Sequence, residues 1–323
     1  MALIPVPYDP ELVPGLNAFL ANVEATPLVG DTIAHNRMHF TQLTPPVGQQ
    51  IAGREVTAEE RSILGPAGPL EITIIRPAEP RPYPVAGALS IHGGGMILGT
   101  RAFGTGEIID YAERYGMVGI SVEYRLAPES PGPAQGEDCY AALVWFAEHA
   151  EELGVDPERI IATGASAGGG LSAIVALMAR DRQGPTLAGQ LLNCPMLDDR
   201  NETVSSHQYD GIGAWDRNNN HTAWNAICGA DRFTDRVSPY TAASRATDLA
   251  NLPPAFIEVG AAEVFRDEAV DYATRIWAAG GQAELHVSAG GFHGFSGFAP
   301  DAEVSRAANA ARESWLRRIL GVS

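Results

Sequence analysis

From about residue 70 onward, short runs rich in β-branched residues alternate with longer stretches whose apolar positions recur at helical spacing. The short runs are LEITIIRP (70–77), GALSIH (87–92), MVGISVEY (117–124), RIIATGA (159–165), GQLLNCP (189–195), PAFIEVG (254–260) and AELHVSAG (283–290). Helical patterns fall between and after them at about 105–115, 136–153, 167–181, 266–280 and 302–320. Regular alternation of this kind dictates a parallel sheet, because each return to a parallel neighbour needs a crossover long enough for a helix. The expected class is α/β, with a mostly parallel central sheet flanked by helices. At 323 residues and 45% hydrophobic content, the chain can bury one large core.

Two segments break the alternation, residues 1–50 and 198–245, the second rich in Asn, Asp and Trp. Loops this long in a compact domain are usually lids or binding loops.

Charge and composition then remove whole classes of function. The net charge of −17 is spread along the chain, so nucleic acid and anionic membrane surfaces would repel it. All 22 basic residues are arginine. Without lysine there is no Schiff base, no Walker A phosphate loop and no Ser/Lys hydrolase. Cys139, Cys194 and Cys228 are far apart and fit neither a disulfide framework nor a zinc site, which suits a reducing, cytoplasmic setting. The first residues lack a basic stretch followed by an apolar one, and no apolar run reaches membrane length, so a protein free in the cytoplasm is expected.

The segment Gly164-Ala165-Ser166-Ala167-Gly168 lies at a junction from strand to helix. A sharp turn there strains the central residue, and small neighbours let the backbones pass, which presents Ser166 as a nucleophile. A phosphate loop would use the same junction, but the G-x-G-x-x-G pattern is absent. Upstream, His92-Gly93-Gly94-Gly95 ends another strand, and its unobstructed N–H groups suit an oxyanion hole of Gly93 and Gly94, completed by Ala167. Such a serine needs a general base oriented by a carboxylate, both on the same sheet edge. His293 and Glu263, each following a late strand, meet that need in the order Ser, Glu, His. Asp267 is the rival acid, but it opens a helix, where acidic residues more often cap.

With these motifs, and with YRLAPE (124–129), CPMLDD (194–199) and HGF (293–295), the chain resembles the hormone-sensitive-lipase-like, family IV, esterases of the α/β-hydrolase superfamily. The resemblance implies an α/β-hydrolase fold with a helical cap, divided as 1–50 (N-terminal cap segment), 51–197 (core), 198–245 (cap insertion) and 246–323 (core). It also implies Ser166 as nucleophile, His293 as base, Glu263 as acid, and Gly93, Gly94 and Ala167 as oxyanion donors. The chain departs from the family in carrying Ala165 where Asp or Thr is common, and Glu263 where Asp is.

The implied activity is that of a serine carboxylesterase on small, short-to-medium acyl esters, needing no metal or organic cofactor. Amide or lactone hydrolysis would use the same groups. The other reading is a non-catalytic small-molecule binder, like the plant gibberellin receptors, which resemble this family but lack the histidine; His293 argues against it. The oligomeric state stays open, a homodimer included. Among the remaining polar residues, His92 is expected to brace the glycine loop. Glu129 and Asp138 are expected to stabilise turns, and Trp215 and Trp224 to fill the cap core.

Overall fold

The computed structural model describes residues 3–23, 26–81 and 84–322. Expectations that touch residues 1, 2, 24, 25, 82, 83 and 323 lie outside the described residues.

Eight strands form one sheet in the order β1-β2-β4-β3-β5-β6-β7-β8. They are β1 (Val56–Gly65), β2 (Gly68–Pro77), β3 (Val85–Ile91), β4 (Val118–Val122), β5 (Val155–Ala165), β6 (Gly189–Asn193), β7 (Ala255–Gly260) and β8 (Ala283–Ser288). Only β2 runs against its neighbours: it pairs antiparallel with β1 and β4, and every other pairing is parallel. All seven runs read from the sequence are strands. The eighth, β1, carries no apolar alternation that marks a strand, because VTAEERSILG is a charged edge strand. What holds it is the ten-pair register with β2, from Val56↔Pro77 to Gly65↔Gly68.

Helices Thr105–Tyr115, Ala134–Glu148, Ala167–Asp181, Arg266–Ala278 and Glu303–Leu320 connect or follow the strands as the periodicity predicts. β3, β4 and β6 are buried along their whole length and β5 over residues 160–164, as strands covered on both faces must be. The chain leaves β3 for β4 on one side and leaves its other neighbour, β5, for β6 on the opposite side, so the two crossovers diverge. Such a reversal opens a crevice at the carboxyl ends of the two strands, here β3 and β5.

The two segments outside the alternation are helical in part. Residues 1–50 contain helices Val13–Asn22 and Ile33–Leu43, and residues 198–245 contain Val204–Gln208 and Arg217–Cys228. The segments bond to each other: the Tyr209 hydroxyl donates to the Val6 carbonyl (2.9 Å), Gln208 to Ile4 (2.6 Å) and Thr222 to Leu28 (3.0 Å). Among the described residues, no helix is long and apolar enough to cross a membrane.

Candidate active site

β5 ends at Ala165, the next helix begins at Ala167, and Ser166 between them adopts φ 59°, ψ −122°. This conformation is costly for any residue with a Cβ, so the surroundings must impose it. A Cβ on Gly168 would lie 1.9 Å from the Ile91 carbonyl oxygen, and one on Gly164 would lie 2.4 Å from the same atom. Both glycines are therefore obligatory where β3 and β5 pass. The Ser166 N–H donates to Asn193 O (2.8 Å), and its carbonyl accepts from Gly170 N and Met196 N (3.0 Å each), which pins the turn from β6 and from the helix.

The loop after β8 brings His293 to this turn. Its Nε2 lies 3.0 Å from Ser166 Oγ, and its Nδ1 lies 2.7 Å from Glu263 Oε2. Glu263, in the loop after β7, is 1% exposed, and its Oε1 accepts from Gly260 N at 3.3 Å. Its extra methylene does not keep it from the imidazole. Asp267 is engaged elsewhere: it accepts from Ser205 N (2.7 Å) and pairs with Arg266 (2.7 Å), tying helix Arg266–Ala278 to the 198–245 segment.

Cys194, whose sequence spacing fits neither a disulfide framework nor a zinc site, joins this group in space. It follows β6 with φ 37°, its N–H donates to Glu258 O (2.6 Å), and its sulfur lies within 4.8 Å of donor atoms of both Glu263 and His293. Among the described residues, these three are the only group of donors that converge closely enough for a metal ion. A metal there would take the imidazole away from Ser166. Burial opposes charge on His293, but Cys194 and the Glu263 carboxylate outweigh it, and the pKa is raised well above the ordinary value.

On the other side of Ser166, the glycine loop follows β3. A Cβ on Gly93 would sit 3.5 Å from the Ser166 Cβ, so this backbone lies against the serine. Gly94 has φ 105°, and a Cβ there would come within 2.4 Å of Leu98 O. Among the described residues, the N–H groups of Gly93, Gly94 and Ala167 donate to no protein acceptor. His92 braces the loop as expected: its Nδ1 is 2.8 Å from Gly93 O, and its ring stacks on Tyr124, whose hydroxyl donates to His92 O (2.9 Å). Burial pushes the His92 pKa down to about 4, so the ring is neutral at physiological pH.

Glu129 pairs with Arg37 and Asp138 with Arg125, both structural roles. Trp224 is fully buried, as a core residue should be, but Trp215 is not a plain core residue. Its ring packs where a Cβ on Gly95 would be (2.9 Å), and it lines the cavity over Ser166. That cavity measures about 870 Å³, and Ser166, His293, Gly93 and Gly94 form part of its wall together with Phe19, Phe40, Phe103 and Phe298.

The chain has clear relatives among known proteins. A family model described as alpha/beta hydrolase fold matches residues 88–297. The chain is 35% identical to the carboxylesterase NlhH of Mycobacterium tuberculosis over 303 residues, 91% of this chain and 92% of that protein. It is 35% identical to the esterase LipI of the same organism over 254 residues, 76% and 77% of the two chains. Among solved structures, a bacterial heroin esterase superposes with a TM-score of 0.88 at 36% identity, covering 97% of this chain and 98% of its own.

Proposed function

The chain belongs to the hormone-sensitive-lipase-like esterases of the α/β-hydrolase superfamily and is a carboxylic ester hydrolase, and from that premise we propose that it works as a serine carboxylesterase through an acyl-enzyme. Ser166 Oγ attacks the ester carbonyl while His293 Nε2 takes its proton. Glu263 holds Nδ1–H and stabilises the imidazolium. The N–H groups of Gly93, Gly94 and Ala167 receive the oxyanion, at the positive end of helix Ala167–Asp181. His293 then returns the proton to the departing alcohol. A water, deprotonated by the same imidazole, releases the acid.

The observation that carries this reading is the unbroken line from Glu263 through His293 to Ser166, with contacts of 2.7 and 3.0 Å. Residues 1–50 and 198–245 serve as the cap over this line. The many polar and charged residues of the second segment mate poorly with a lipid surface. Small dissolved esters with acyl chains of roughly two to eight carbons are the expected substrates.

The test is a panel of p-nitrophenyl esters of increasing acyl length, with peptide mapping of an organophosphonate adduct. Adduct on Ser166 and a rate maximum at short-to-medium acyl length are expected. Adduct on another residue would overturn the assignment.

A further inference from the structure

The cavity is larger than a short ester needs. At ~30 Å³ for a water-sized group, about 870 Å³ admits on the order of thirty such groups, several times the size of methyl butyrate. Its wall is also built in a particular way. Phe40, on helix Ile33–Leu43, meets Phe103 edge to face with centroids 4.9 Å apart. Phe19, on helix Val13–Asn22, meets Phe298 at 4.4 Å, tilted by 40°. In each pair, one ring comes from the N-terminal segment and the other from the loops that carry the proposed machinery. Phe103 lies beyond the glycine loop after β3, and Phe298 beyond His293 after β8. Because β5 stands between β3 and β8, the two pairs flank Ser166 from opposite sides of the sheet order.

Phe103 is 41% and Phe298 38% exposed, so both rings keep free surface although each already has an aromatic partner. Phe103 also reaches the reacting end: its Cε1 would lie 3.6 Å from a Cβ on Gly93. An aliphatic wall is indifferent to whether an apolar group is flat. Aromatic faces and edges are not, and each well-placed ring pair favours an aromatic group by roughly 2- to 12-fold over equal apolar area.

We propose that Phe103 and Phe298, backed by Phe40 and Phe19, make this enzyme selective for esters carrying a flat, fused aromatic group. The proposal rests on Ser166 being the nucleophile. It adds that the spare cavity volume takes an aryl group rather than a long alkyl chain.

The test compares esters that differ in flatness but not in chemistry at the carbonyl. One arm sets 2-naphthylmethyl butyrate against decahydronaphthyl-2-methyl butyrate. The other sets methyl 2-naphthylacetate against methyl decahydronaphthyl-2-acetate. The wild-type kcat/KM ratio, aromatic over saturated, is expected to reach about tenfold in at least one arm. It should collapse towards unity in Phe103→Leu/Phe298→Leu and survive in Phe103→Tyr, which keeps the ring should the leucine variants fold poorly. A wild-type ratio near one in both arms would overturn the proposal and leave the esterase reading standing. So would an undiminished ratio in a double leucine variant that melts like wild type. Undiminished hydrolysis of these esters by Ser166→Ala would instead overturn the nucleophile assignment, and the proposal with it.

Discussion

Glu263 and His293 are thirty residues apart in the chain, yet a carboxylate oxygen of the first lies 2.7 Å from Nδ1 of the second, in a site that leaves Glu263 1% exposed. The neighbouring acid Asp267 is spent on Ser205 N and Arg266. Glu263→Gln should therefore lower kcat by about 10³- to 10⁴-fold, because an amide neither fixes the tautomer nor stabilises the imidazolium. Asp267→Asn keeps an oxygen for Ser205 and should leave the rate within a few-fold, with a small loss of melting temperature. Steady-state kinetics on both variants decide the matter, and the reverse ranking would move the acid to Asp267.

Ser166→Ala removes one hydroxyl from a turn whose shape depends on Gly164, Gly168 and Asn193 O, not on the side chain. The variant should fold normally with a melting temperature close to wild type, since alanine meets the same steric demands and loses only one contact to His293. Ester turnover should fall by several orders of magnitude, about 10⁴ or more. A purified variant retaining a tenth of wild-type turnover would exclude Ser166 as nucleophile.

The pH dependence follows from the raised pKa of His293. The base is the neutral imidazole, so kcat/KM rises as pH climbs through the folded-state pKa. Cys194 and Glu263 together hold that pKa up against burial, which puts the midpoint above the ~6.5 of an unperturbed histidine. Cys194→Ala removes one of the two supports, and the midpoint should move towards acid. A midpoint that stays in place in this variant would show that the thiol does not act on the ring.

Much of this was legible in the sequence where local sterics dictate the answer. The turn around Ser166 requires glycine at 164 and 168 because the Ile91 carbonyl passes there, and the loop after β3 requires it at 94, so the motif and the geometry are one constraint. The buried strands were legible because coverage on both faces demands continuous apolar runs. What stayed hidden depends on contacts between elements distant in sequence. β1 is held by its backbone register with β2, so its charged residues carry no strand signal. Cys194 reads as a small apolar residue at a strand end, and only the adjacency of β6 and β7 places it by Glu263 and His293. Phe19 and Phe40 sit in segments without α/β alternation, so nothing in their spacing announces a cavity wall.

The last prediction concerns the charges beneath the site. Arg312, on helix Glu303–Leu320, places Nη2 3.0 Å from Glu258 Oε2 on β7 and 3.2 Å from Ser296 Oγ, and Nη1 3.7 Å from Glu107. Glu107 in turn accepts from the Tyr111 hydroxyl (2.6 Å) and from Thr163 Oγ1 (2.9 Å) on β5. One guanidinium thus serves two carboxylates, and the Glu258 side chain is only 4% exposed. Removing one partner of a buried pair costs more than the pair itself contributes, because the other charge stays behind without compensation. Arg312→Met should lower the unfolding free energy by about 3–5 kcal/mol. Glu107 keeps its two hydroxyl donors, so most of that loss belongs to Glu258. Arg312→Met/Glu258→Gln, which leaves no bare charge on β7, should recover the larger part of it. Turnover should follow stability in the single variant, since Glu258 O accepts the Cys194 N–H (2.6 Å) and a displaced β7 would be felt beside His293. Urea denaturation of wild type, the single and the double variants measures all three quantities. A single variant as stable as wild type, or a double variant worse than the single, would show that the Glu258 carboxylate does not depend on Arg312.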